Sequence, residues 1–360
     1  MHMNSFLLLE DGARFDGIPL GVQVERYGPV MINTGVVGYQ EIMTDPANAG
    51  KIVVLTYPLI GNYGINKSFN ESAKAWISGL IIKESSRIYS NFQAEESFEN
   101  FLTREKTACL SEVDTRTLAV RIRDHGEQWG AISHGKANEK EILKRIAKAK
   151  SEQRSQMKEI SVKKPTPLLP ASSAGSFKIG VIDLGAPQSL LKQLTMLNCA
   201  ITLLPFDSSR EQIMAMKPDG IVVSSGPEDD PAIQQVSETI RELIGKVPLL
   251  GISAGHEAVA LSLGGKLKRL PVGHHGVNYP VMKPGSLKGE ITVQNHSFAV
   301  DEDSLKGVKD LTIEERNLND QTIEKMRSDS RRFISVQYYP ASPGCNEVHP
   351  VLKEFVSILR

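Results

Sequence analysis

The segment Pro248-Leu249-Leu250-Gly251-Ile252-Ser253-Ala254-Gly255-His256-Glu257 places Gly-x-Ser-x-Gly between an apolar run and a helical stretch. A strand that turns sharply into a helix through small residues pushes its middle side chain outward, as a nucleophile elbow does. The helix start behind Ser253 favours negative charge. A serine hydroxyl is a weak nucleophile until a base takes its proton and donors hold the oxyanion. In chain order an acid and a histidine should follow the serine, and His274, His275, His296 and His349 all lie downstream. No glycine-rich oxyanion loop of the lipase kind precedes it. The residues alone leave two readings, a serine hydrolase using Ser253 and a serine that merely fills the turn.

Other clusters carry less chemistry. His274 and His275 are adjacent, and on a strand they face opposite ways, so no metal site is expected from them. Cys345 and His349 are four apart, close enough to pair on a helix, but they sit in a stretch flanked by proline and glycine. Glu228-Asp229-Asp230 reads as a solvated acidic loop. The three cysteines, Cys109, Cys199 and Cys345, form neither a disulfide framework nor a CxxC zinc pair, which fits a reducing cytoplasm.

These residues need elements to position them. The chain has 360 residues, enough for two domains, with 40% hydrophobic and 23% charged residues, as in a globular protein. Lys+Arg and Asp+Glu both number 42, so there is no basic excess to bind nucleic acid. The apolar run Phe6–Leu9 is too short for a membrane span or a signal peptide's core and reads as a first strand. Pro29–Asn33 and Lys51–Tyr57 are further strands of a strand-rich first domain. A charged helix over about Ala137 to Lys158, with Ile142, Ile146 and Ala149 on one face, closes that domain near residue 160. Three prolines and a run of small residues over 161–176 predict a linker. From residue 177 to 360, a strand at Phe177–Asp183, a helix at Ser189–Leu197 and strands at Ala200–Pro205 and Gly220–Ser224 predict a doubly wound parallel sheet. The fold class is therefore α/β in both parts. Active sites in such sheets lie at the carboxyl ends of the strands, where the elbow falls.

Ordered matches along nearly the whole chain resemble one family, the small subunit of glutamine-dependent carbamoyl-phosphate synthetase. In the first domain they include Leu9-Glu10-Asp11-Gly12, Gly38-Tyr39-Gln40-Glu41-Ile42, Thr44-Asp45-Pro46, Ser90-Asn91-Phe92 and Asp114-Thr115-Arg116-Thr117-Leu118. In the second they include Gly273-His274-His275-Gly276, Gln294-Asn295-His296, Phe298-Ala299-Val300-Asp301-Glu302 and Ser335-Val336-Gln337-Tyr338. The resemblance implies a small-subunit N-terminal domain followed by a class I glutamine amidotransferase-like domain. It implies that the latter hydrolyses glutamine for a large subunit, which makes carbamoyl phosphate from ammonia, bicarbonate and ATP. That product serves pyrimidine and arginine biosynthesis. It implies no cofactor and no metal in this subunit.

The family uses a Cys–His–Glu triad, and this sequence departs from it at each point. The nucleophile position is Ser253, the base position is Tyr339, and Pro340 runs straight into Ala341 where the family has Glu. A tyrosine of ordinary pKa near ~10 is no ready base at neutral pH. The pocket is altered at Ala47, Glu228, Ala254, Glu257 and Ser297, while Gly226, Asn295 and Phe298 still match. A carboxylate at position 228 would oppose a developing oxyanion, and the acidic cluster would then admit a cation or exclude glutamine. The expectation is a cytoplasmic pseudo-glutaminase docking on a large subunit, with no nucleic acid or membrane partner. The alternative is a stand-alone regulatory or ligand-binding pseudoenzyme.

Overall fold

The computed structural model describes residues 5–136, 138–168, 175–344 and 346–359. By internal contacts the chain forms two compact units. One comprises residues 1–154 with Pro271–His275, the other 155–270 with 276–360.

In the first unit, β1 (Ser5–Leu9), β2 (Arg14–Gly21), β3 (Arg26–Asn33), β4 (Ile52–Leu55), β6 (Gly79–Ile81), β8 (Ala108–Ser111) and β9 (Trp129–His134) close into a barrel in the order β1-β2-β8-β6-β4-β3-β9. The short strands β5 (Leu59–Ile60) and β7 (Glu84–Ser85) pair separately. Period-two alternation sends alternate residues of the barrel strands into different clusters, with Phe6 and Leu8 of β1 and Trp129 and Ala131 of β9 packing against Ile142 and Ile146. Leu7, Leu9, Val30, Ile52, Val54, Ile81, Leu110 and Ile132 share one. Met31, Val53, Leu55, Leu80 and Cys109 belong to another, packed with Phe98, Phe101 and Leu102. Sequence patterning predicted strands here but not closure, because closure depends on the β1–β9 and β2–β8 pairings between distant segments.

The predicted helix over 137–158 is two pieces. Asn138 caps Glu139–Ser151 by accepting the Lys140 N–H, and Ile142 and Ile146 are buried. A separate turn, Met157–Ile160, belongs to the second unit, where Met157 is buried in the core and its N–H donates to Asp230 Oδ2 at 2.8 Å. Part of the expected linker is structured too. There β10 (Thr166–Pro167) pairs antiparallel with β12 (Cys199–Pro205). Residues 169–174 lie outside the described part.

The second unit is built on a ten-stranded sheet of order β10-β12-β11-β13-β14-β19-β18-β17-β15-β16. Its parallel heart joins β12 to β11 (Phe177–Asp183), β13 (Gly220–Val223), β14 (Leu249–Ile252) and β19 (Phe333–Val336). The other half, β18 (Ile323–Ser328), β17 (Thr312–Asn317), β15 (Lys266–Met282) and β16 (Gly289–Asp301), makes the sheet mixed rather than purely parallel. Both faces of the parallel strands are covered. Ile221, Val223, Leu249 and Phe333 pack on one side. Val222, Leu250, Ile334 and Val336 pack on the other. Such strands read as continuous apolar runs, which is why they were visible in the sequence. Strand order reverses between β11 and β13, and the crevice at their carboxyl ends is where ligands sit in open α/β sheets.

The barrel cluster yields a stability prediction. Leu7 is fully buried in it, so Leu7→Ala should cost about 2–5 kcal/mol, read as a lowered urea midpoint.

Candidate active site

The elbow forms as the residues demand. Ser253, between β14 and the helix Ala254–Ser262, holds φ 52° and ψ −112°, a strained conformation for a residue with a side chain. Its backbone is fixed on both sides, the N–H donating to Val336 O at 2.8 Å and the carbonyl accepting the Glu257 N–H at 3.0 Å. The flanking glycines are required by close approach. A Cβ on Gly251 would lie 2.7 Å from Gly255 O, and one on Gly255 would lie 2.2 Å from Val223 O. The loop after β13 is equally tight, since a Cβ on Gly226 would lie 2.3 Å from Leu184 O.

The Ser253 hydroxyl does not match this backbone. It is fully buried, and no described residue hydrogen-bonds Oγ. His256, His275, His296 and His349 are committed elsewhere. His296 uses both ring nitrogens, Nδ1 with Phe298 O and Nε2 with Gln294 Oε1, each at 2.7 Å. His275 faces Glu127 Oε1 at 3.2 Å within the first unit. His349 caps the helix Pro350–Ser357, and burial pushes its pKa down to about 4. His256, on the elbow helix, pairs Nδ1 with Ser335 Oγ at 2.9 Å, and complete burial drives its pKa down to about 3.

Tyr339 follows β19, and its backbone N–H donates to Val293 O at 2.9 Å. Its hydroxyl accepts from Asn295 Nδ2 at 3.4 Å. Glu257 is buried, with Oε1 accepting from Gln337 Nε2 at 3.1 Å. Ala254 is buried in the core beside it. Phe298 carries the Arg269 guanidinium over its ring at 5.5 Å. Ala47 lies in the first unit, buried in a one-turn helix, its N–H on Asp45 Oδ1.

Glu228 and its neighbours correct the sequence reading. The acidic loop is not solvated, since Glu228 and Asp230 are 5% and 2% exposed. Glu228 Oε2 accepts the backbone N–H groups of Ser297 at 2.7 Å and Phe298 at 2.9 Å. Asp230 accepts from Met157 and from Ala232. Charge patterning cannot distinguish a solvated carboxylate from one consumed by backbone donors that fold in from elsewhere. Sequence reasoning also passed over Asp183, whose Oδ1 accepts from Gly185 and Ala186 and whose Oδ2 accepts from Val162. The run Asp183-Leu184-Gly185 was a usable turn signal. Burial raises the Asp183 pKa. Burial also raises the thiol pKa values of Cys109 and Cys199, the latter to about 11, so neither is a poised nucleophile. Cys345 lies outside the described residues, so its pairing with His349 is not addressed by the geometry.

The class this fold and elbow define is that of the class-I glutamine amidotransferases, whose family pattern matches residues 180–358. The carbamoyl-phosphate synthase small chain, CPSase domain, matches residues 7–132. The chain is 38% identical over 355 residues to the carbamoyl phosphate synthase small chain of Oceanobacillus iheyensis, covering 98% of this chain and 95% of that protein. It is 37% identical over 370 residues to that of Syntrophotalea carbinolica, covering 99% and 98%. The chain belongs to the carbamoyl-phosphate synthase small-chain family. Among solved structures, a glutamine amidotransferase from Thermotoga maritima aligns at a TM-score of 0.35 with 16% identity, over 46% of this chain and 76% of that one, too loosely to carry an argument.

Gly255→Ala drives a methyl into the Val223 carbonyl and should cost about 3 kcal/mol or more, measured by urea denaturation. His256 titrates near ~6.5 when unfolded and near about 3 when folded. Its contribution is therefore complete above pH ~6.5 and is lost as pH falls towards 3, by about 1.4 kcal/mol per pH unit. His349 acts in the same direction, so wild type must be compared with His256→Gln between pH 4.5 and 7.5. The wild type should lose stability more steeply as the pH falls, and equal slopes would contradict the assignment.

Proposed function

We propose that this chain is a carbamoyl-phosphate synthase small subunit that no longer hydrolyses glutamine. It docks on a large subunit in the cytoplasm and leaves that partner to use free ammonia with bicarbonate and ATP. The observation that carries this reading is the state of Ser253, an elbow serine buried with no hydrogen-bonding base at its hydroxyl. Serine depends more on its base than a thiolate does. The residue at the base position, Tyr339, is a phenol that accepts from Asn295. Glutamate release from glutamine should be absent, with or without the large subunit, and unchanged in Ser253→Ala. Release abolished by Ser253→Ala would establish Ser253 as a working nucleophile and end this reading.

Docking is supported by apolar exposure in the first unit. Ile88, Tyr89 and Phe92 are 79%, 41% and 95% exposed on one loop, and Val36 and Val37 are 56% and 60% exposed on another. Solvent-exposed side chains of this size concentrate where partners bind. Phe92→Asp should weaken co-purification with the cognate large subunit by at least ~10-fold, about 1.4 kcal/mol. Retention equal to wild type would place the contact elsewhere.

A further inference from the structure

Two successive backbone N–H groups of β16, those of Ser297 and Phe298, converge on a single oxygen, Glu228 Oε2, at 2.7 and 2.9 Å. Adjacent amides aimed at one carboxylate oxygen make an anion site, and charge-assisted bonds of this kind are about twice as strong as neutral ones. The donors belong to β16, and the acceptor arrives from the loop after β13, 69 residues earlier in the chain. That loop is pinned on both sides of Glu228. Gly226 lies so close to the Leu184 carbonyl that no Cβ fits, and the Asp230 carboxylate is held by the N–H groups of Met157 and Ala232. The Glu228 side chain is thereby delivered into the crevice beside Ser297 and Phe298, 5% exposed.

The family resemblance puts positions 297 and 298 in the glutamine pocket, and we propose that in this chain Glu228 is the resident carboxylate ligand of their two amides, tethered by the chain. The substrate class this site would otherwise take is a small carboxylate, such as the carboxylate end of a free amino acid. A tethered group competes as an intramolecular ligand and pays no association cost each time it binds. Glu228 therefore closes the pocket to amino acids. This deepens the non-hydrolytic reading by naming what keeps an amino-acid substrate out, and it rests on a separate observation.

The test is chemical rescue in the full-length chain. Glu228→Ala should melt below wild type. Sodium acetate should then raise its melting temperature saturably beyond sodium chloride of equal ionic strength, and glutamate should do the same. Wild type should respond to acetate and chloride alike. Acetate acting no better than chloride on the variant, or equally on wild type and variant, would overturn the proposal. Should Glu228→Ala fail to fold, Glu228→Gln keeps an acceptor oxygen but loses the charge. The amide protons of Ser297 and Phe298 should then shift upfield from their wild-type positions in a proton–nitrogen correlation spectrum, and unshifted resonances would overturn it equally. Neither readout involves turnover. Glutamate release by wild type would therefore remove the proposed function, while the rescue experiment alone decides this site.

Discussion

The second unit is organised by a steric constraint on backbone, the seating of Gly255 against the Val223 carbonyl of the neighbouring strand. A Cβ at Gly255 would stand 2.2 Å from that oxygen, so the helix after β14 sits on β13 only because the residue there has no side chain. The Ser253 conformation follows from it. With Gly251 against Gly255 and the Ser253 N–H bound to Val336, the chain has one path from strand to helix, and that path holds φ at 52°. The strain is local and the surrounding packing supports it. None of these contacts involves the Ser253 side chain. The backbone of a nucleophile elbow can thus persist whatever chemistry its middle residue offers.

Several polar groups around the elbow pair within the second unit. A buried donor or acceptor without a partner is costly. Tyr339 accepts from Asn295, and Glu257 accepts from Gln337. Glu228 takes up two strand amides. His256 is held by Ser335 and kept neutral by burial. Pairs of this kind hold the side chains around the elbow in fixed positions.

The sequence made much of this legible, for particular reasons. The parallel strands are buried on both faces and so appear as unbroken apolar runs. The elbow was readable because its glycines are a local requirement of a local turn. The misreadings share a different cause. The helix over 137–158 was read from Ile142, Ile146 and Ala149, but its far end belongs to a separate turn, where the Met157 N–H is claimed by Asp230 across 73 residues. The loop at 228–230 looked solvated because its donors, Ser297 and Phe298 on one side and Met157 on another, come from distant segments. The barrel was seen as separate strands because its closing pairs join β1 to β9 and β2 to β8.

By itself the sequence determined the α/β class of both parts, the family and the position of the elbow with Ser253 at its centre. Those properties reside in residue type and short spacing, which burial pattern and turn stereochemistry express directly. Only the tertiary structure decided that the barrel closes, that the great sheet is mixed, that the Ser253 hydroxyl has no base in contact and that Glu228 is bound rather than solvated. Each of these depends on which backbone donor or strand edge meets a group from tens of residues away. The chain settles such encounters through its packing as a whole, and no short stretch of sequence encodes them.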